Sequence, residues 1–149
     1  MSVIDLTQSE ADRLISIEKH AIDEKPWNFP DLGGSISIPL ISIDNRENFF
    51  LDISRGKINL KKGSYQNRAL TCVPLVRIDF AGPPHMNPDG SEINCPHMHL
   101  YQEGYGDRWA YTIPKDKFNN VDNIWILLDD FMNYCNIVKQ PNIVKGLFT

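Results

Sequence analysis

The sequence predicts an α+β fold: a mostly antiparallel sheet with an N-terminal and a C-terminal helix packed on one face. Three observations predict it. Apolar residues recur at helical spacing near the start, change to a period of two from Ser35 to Pro114, and return to helical spacing after that. No stretch between the strands has room for a crossover helix, so the connections are hairpin-like and the strands antiparallel. At 149 residues and 42 % hydrophobic, the chain supports one core, and residues 1–149 read as a single domain.

In chain order, Thr7-Gln8-Ser9-Glu10 has the spacing in which a hydroxyl and a carboxylate satisfy each other's free backbone N–H groups. A helix starts there, and Ala11, Leu14, Ile15, Ile17, Ala21 and Ile22 continue its apolar face until Pro26 ends it. Residues 25–34, holding Pro26, Pro30, Gly33 and Gly34, read as a loop. Alternation then marks strands at 35–38, 41–43, 49–53, 57–60, 70–80, 96–102 and 109–113, with the third and fourth joined near Arg55-Gly56. Val121, Ile124, Trp125, Leu128, Phe131, Met132 and Cys135 form one face of the C-terminal helix, and the tail from Pro141 carries little pattern.

Composition narrows the function. The net charge of −4 excludes indiscriminate attraction to nucleic acid, so any polyanion binding is local. Cys72, Cys95 and Cys135 are odd in number and widely spaced, which fits a reducing compartment better than a disulfide framework. With no apolar run of membrane length and no targeting pattern, the expectation is a cytoplasmic protein without a membrane partner.

The densest chemistry lies in residues 85–99, HMNPDGSEINCPHMH. In a strand, residues two apart share a face, so Cys95, His97, His99, Tyr101 and Glu103 fall on one side, and Met98 and Leu100 on the other. The preceding strand divides alike, with Val76, Ile78 and Phe80 opposite Leu75, Arg77 and Asp79. Asn87-Pro88-Asp89-Gly90 has strong turn chemistry and folds His85 back towards His97 and His99. One histidine on a strand is ordinarily a hydrogen-bonded structural group. Three on one face, beside Tyr101, Glu103 and Arg77, point to a catalytic cluster, because an imidazole near its ordinary pKa of ~6.5 offers both protonation states. His85, Cys95, His97 and His99 are also donor types that zinc accepts, yet their spacing is less specific than paired C-x-x-C knuckles. No cofactor is expected, with zinc the alternative.

A second signal is local charge. Arg55, Lys57, Lys61, Lys62 and Arg68 occur in residues 55–68 with no acidic residue among them, and Tyr65 stands between them as a stacking group. Such a segment can seat an RNA backbone, or serve as a solvated edge hairpin that resists aggregation. The loop 103–108 reads as a hairpin turn able to bring Tyr105, Asp107 or Arg108 beside the histidines. Trp109 and Trp125 read as core or sheet cover.

Residues 64–68 (SYQNR), 75–79 (LVRID), 85–90 (HMNPDG), 96–101 (PHMHLY) and 103–105 (EGY) resemble a family of small bacterial proteins carried on mobile elements, over about half the chain. The frame of residues 75–79, Pro84-His85 and residues 96–99 is more distantly similar to TumE-type toxins of toxin–antitoxin modules. That resemblance implies a RelE-like fold, metal-independent RNA cleavage and an antitoxin or other protein partner that holds it inactive. In that chemistry His97 or His99 takes a 2′ proton, another histidine protonates the leaving 5′ oxygen, and Arg77 or Arg68 steadies the transition state. The chain departs from those toxins in its greater length, its added N-terminal helix and strand, and its negative charge. Two other classes compete: a non-enzymatic interaction protein of phage or plasmid origin that binds a host defence complex, and a small metal-binding hydrolase.

Overall fold

Helix α1 (Gln8–Ser16) opens where the sequence places it, because the Thr7 hydroxyl accepts from the Glu10 N–H at 3.1 Å. It stops at Ser16, short of Ile22, and the chain enters β1 (Lys19–Ala21) instead. Local spacing favours more helix, but β1 bonds to a strand on each side, and that pairing overrides the propensity. The structure is a computed structural model and describes residues 5–57 and 62–145.

After β2 (Trp27–Asn28) come β3 (Ser35–Ser42), β4 (Asn48–Arg55), β5 (Gly63–Ala69) and β6 (Val73–Asp79), a meander of antiparallel hairpins. The expected strands at 35–38 and 41–43 are one strand. Pro39 is tolerated inside it because β1 pairs only from Leu40 onward. The partner of β4 is β5, not residues 57–60, of which 58–60 lie outside the described residues. Sequence pattern alone does not mark β5 as a strand. Leu70 and Thr71 take positive φ (52° and 63°) and form the turn that shortens the expected strand at 70–80.

Then follow β7 (His85–Met86) and β8 (Glu92–Ile93), a separate short hairpin, β9 (His97–Leu100) and β10 (Ala110–Tyr111). Helix α2 (Ile124–Tyr134) begins where the Asn123 side chain accepts from the N–H groups of Trp125 and Ile126 at 3.0 and 3.1 Å. The tail, nearly silent in sequence, adds β11 (Ile137–Lys139) and β12 (Ile143–Val144).

The main sheet has eight strands in the order β10-β9-β6-β5-β4-β3-β1-β11. Every neighbouring pair is antiparallel except β1 with β11. One face carries Leu40, Leu51, Ile53, Tyr65, Ile78 and Met98, packed with Ala11 and Leu14 of α1 and with Leu127 and Phe131 of α2. Each such side chain contributes ~1.5–3 kcal/mol when withdrawn from water. The fold is therefore the expected α+β sheet with both terminal helices on one side. No helix among the described residues is long and apolar enough to cross a membrane.

The opposite face is polar. Register sets Ser37 beside Asp52, Asp52 beside Gln66, Gln66 beside Arg77 and Arg77 beside His99, a row running across five strands. At its centre Asp52 accepts from Ser37, Gln66 and Arg68 at 2.7, 3.0 and 2.9 Å. The end of the row at β6 and β9 holds the histidines.

Candidate active site

Antiparallel pairing of β6 with β9 sets Arg77 against His99 and Asp79 against His97, all four on the polar face. Asp79 is the hub. Its Oδ2 lies 3.1 Å from His97 Nε2 and 3.2 Å from His99 Nε2, while Oδ1 accepts from Arg77 Nε at 3.1 Å. Arg77 also donates to Asp107 Oδ2 at 3.0 Å. Burial pushes the Asp79 carboxyl up, but the close approach of His99 and the charges of Arg77, His99 and His97 outweigh it and hold the group at about 2. The carboxylate is ionised at any physiological pH.

His85 joins from β7, its ring centroid 4.6 Å from that of His99 and 5.9 Å from that of His97. The hairpin that carries it is fixed at both ends. Gly90, at φ +86°, closes the Asn87-Pro88-Asp89-Gly90 turn with a 2.9 Å bond from its N–H to the Asn87 carbonyl. The Asn87 side chain then pairs with the backbone of Ala110, donating to its carbonyl at 3.1 Å and accepting from its N–H at 2.8 Å.

Each imidazole has one nitrogen tied to a carbonyl. His99 Nδ1 donates to Asp107 O at 2.8 Å and His85 Nε2 to Arg108 O at 2.7 Å. His97 Nδ1 lies 3.3 Å from Asn94 O and 3.5 Å from Cys95 Sγ. A carbonyl only accepts, so these contacts place hydrogen on Nδ1 of His99 and Nε2 of His85, whereas His97 meets an acceptor on each side, its Nε2 bonding to Asp79 Oδ2 at 3.1 Å. In His99 the remaining nitrogen, Nε2, is fully buried, is misaligned for a hydrogen bond to Asp79, and has no hydrogen-bond partner among the described residues.

The cluster opens on a cleft of about 430 Å³. It is lined by Ser54, Arg55, Lys62 and Ser64 at the ends of β4 and β5, by Pro83 and Pro84, and by Asp79, His85, Cys95 and His97, with Ser54, Ser64, Asp79 and His97 successive neighbours across four strands. His85 is partly exposed, whereas His97 and His99 are only 2 % and 1 % exposed. The half-exposed imidazole is thus the one that an entering molecule meets.

Several candidates fall elsewhere. Strand β9 ends at Leu100, so alternation does not carry Tyr101 on to the polar face; its hydroxyl accepts from Leu6 N–H at 2.7 Å and donates to Leu6 O at 3.0 Å. Glu103 accepts from Gln8 N–H at 2.7 Å and caps the start of α1. Tyr65 is buried on the helix side, its hydroxyl donating to Ile124 O at 2.6 Å, and has no face free for a base. Arg68 is committed to Asp52 and lies over the Phe50 ring. Arg55 lines the cleft but donates to Pro30 O, and Lys57 lies outside it against Gly33. Lys61 lies outside the described residues. Of the expected metal donors, His97 and His99 converge, with Cys95 and His85 alongside. The third member of the converging set is Asp79, which the sequence places on this face without naming it as a donor. The signal was its two-residue spacing from Arg77.

Fold and site together define an α+β protein with a histidine–aspartate centre at one end of the polar face of its sheet, where Asp79, His97 and His99 form a group able to hold a metal ion. The chain belongs to the family of unknown function DUF6978, whose model matches residues 6–137. No curated protein and no solved structure matches it.

Proposed function

We propose that the protein is a toxin-like endoribonuclease whose active centre is this cleft, kept inactive by an antitoxin or other protein partner. One observation carries the reading. The histidine–aspartate centre and the basic end of the β4–β5 hairpin, separate signals in the sequence, line a single cavity. Lys62 draws in the phosphodiester. The burial of His97 and His99 moves proton exchange from them to His85.

His85 Nδ1 keeps a lone pair, because Nε2–H is donated to Arg108 O. That lone pair takes the 2′ proton as the 2′ oxygen attacks phosphorus. The bond to the 5′ oxygen breaks, leaving a 2′,3′-cyclic phosphate, and water supplies the proton that the 5′ oxygen gains. A second reading, zinc-assisted hydrolysis, is favoured by the convergence of Asp79, His97 and His99, a donor set that suits zinc.

The test is cleavage of labelled RNA by the purified full-length chain. The wild type is expected to cut, and His85→Ala to lower the rate by ~10²–10⁴. Intact RNA after incubation with the wild type overturns the reading. If a large host complex co-purifies as well, an interaction protein takes its place.

A further inference from the structure

We propose that Asp79 Oδ2, His97 Nε2 and His99 Nε2 bind one zinc ion, with the fourth coordination position open to the cleft. The purpose of such an ion rests on the ribonuclease reading; its existence rests on the geometry of these three side chains.

The first argument is spacing. Two ligands of a tetrahedral zinc, each bonded at ~2.0–2.1 Å, stand about 3.3 Å apart. Asp79 Oδ2 stands 3.1 and 3.2 Å from the two imidazole nitrogens, and all three donor atoms lie within 4.8 Å of one another. The second is orientation. Histidines that hold a metal ordinarily give their other ring nitrogen to a carbonyl or carboxylate, which fixes the tautomer and aims the lone pair. Here the Asp107 carbonyl does this for His99 and the Asn94 carbonyl lies against His97. Arg77 and Asp107 in turn steady the carboxylate.

The third argument is the orphan. With Nδ1 donating to Asp107 O, His99 Nε2 is left buried 3.2 Å from Asp79 Oδ2, misaligned for a hydrogen bond to it and without a hydrogen-bond partner among the described residues. A buried nitrogen beside a carboxylate is rarely left so in folded proteins. A cation between them removes the conflict.

Three protein ligands and an open position make a site of the catalytic type. Because Asp79 and His97 line the cleft, the ion faces whatever enters. It would polarise a phosphoryl oxygen of a bound substrate.

The experiment uses full-length protein purified without chelator. Elemental analysis should find one zinc per chain. Stripping with chelator and adding cobalt(II) should give the visible absorption of a tetrahedral site, and zinc added back should raise the melting temperature. Asp79→Asn and His99→Gln should lose the ion, Arg77→Met should weaken it by ~10–100-fold, and His85→Ala should keep it. Circular dichroism checks each variant for folding, and the stripped and reloaded wild type needs no variant at all. No zinc as isolated, together with no cobalt spectrum and no thermal shift, overturns the proposal. RNA cleavage undiminished after stripping overturns the role given to the ion while leaving the ribonuclease standing. Stoichiometric zinc without cleavage does the reverse.

Discussion

Lys19 and His99 are both buried polar side chains on strands of the same sheet, near opposite edges, and their surroundings differ in one respect. Lys19 is 0 % exposed, and its ammonium donates to Ile15 O, Ile17 O and Cys135 O at 2.9, 3.1 and 2.7 Å. Three hydrogens meet three carbonyls, which belong to the C-terminal ends of α1 and α2, where a cation is favoured. His99 satisfies one nitrogen and leaves the other against a carboxylate. A completed set of bonds marks a part that holds the fold. The leftover one in His99 is the atom on which the proposed zinc site rests.

The largest effect that tests this contrast is on stability. Lys19→Met fits the space but strips three buried carbonyls of their donor, at ~1–3 kcal/mol for each group left unpaired. A loss of about 3 kcal/mol or more is expected, a fall of roughly 6–12 °C in melting temperature for a chain of this size. Cleavage per folded molecule should hold. A neutral Lys19→Met would break the contrast, since the complete bond set would then contribute nothing measurable.

Next in size is the acid limb of Asp79. Its carboxyl titrates at about 2 in the folded chain against an ordinary value of 3.8. The unfolded chain therefore binds the proton first as pH falls. The stabilisation is complete above about pH 4 and lost on the way down to about 2, a change on the order of 2 kcal/mol. Urea unfolding of chelator-treated protein across that range should show the slope, and Asp79→Asn should flatten it. An equal slope in both would place the acid sensitivity elsewhere.

Much of this was legible in sequence because a strand's period of two is robust: it separated Arg77, Asp79, His97 and His99 from Val76, Ile78, Met98 and Leu100 without any knowledge of pairing. What failed was everything that depends on where pairing starts and stops. Tyr101 looked like the next member of the histidine series, but β9 ends one residue before it. Tyr65 was grouped with its basic neighbours, whereas the register of β5 turns Tyr65, Asn67 and Ala69 inward and Gln66 and Arg68 outward. Lys19 fell within a run spaced for a helix, and only contacts with residues more than a hundred positions away, such as Cys135, give it a strand and a role. The hub, Asp79, stood in plain view on the polar face. Its importance appears once two rings from another strand converge on it.

The smallest effect concerns Glu103, the acidic residue that the sequence grouped with the histidines. Its carboxylate accepts from the Gln8 N–H, and Gln8 Oε1 accepts from the Glu103 N–H at 2.9 Å, so loop and helix start are tied reciprocally. The contact is exposed, and an anion at a helix N-terminus in such a setting is worth ~0.3–1 kcal/mol. Glu103→Ala should therefore lower the melting temperature by a few degrees at most, less so in high salt, and leave both zinc content and RNA cleavage at wild-type values. A hundredfold loss of cleavage at unchanged stability would move Glu103 back into the centre. It would also show that a hydrogen-bonded carboxylate at the start of α1 is no guide to a purely structural role.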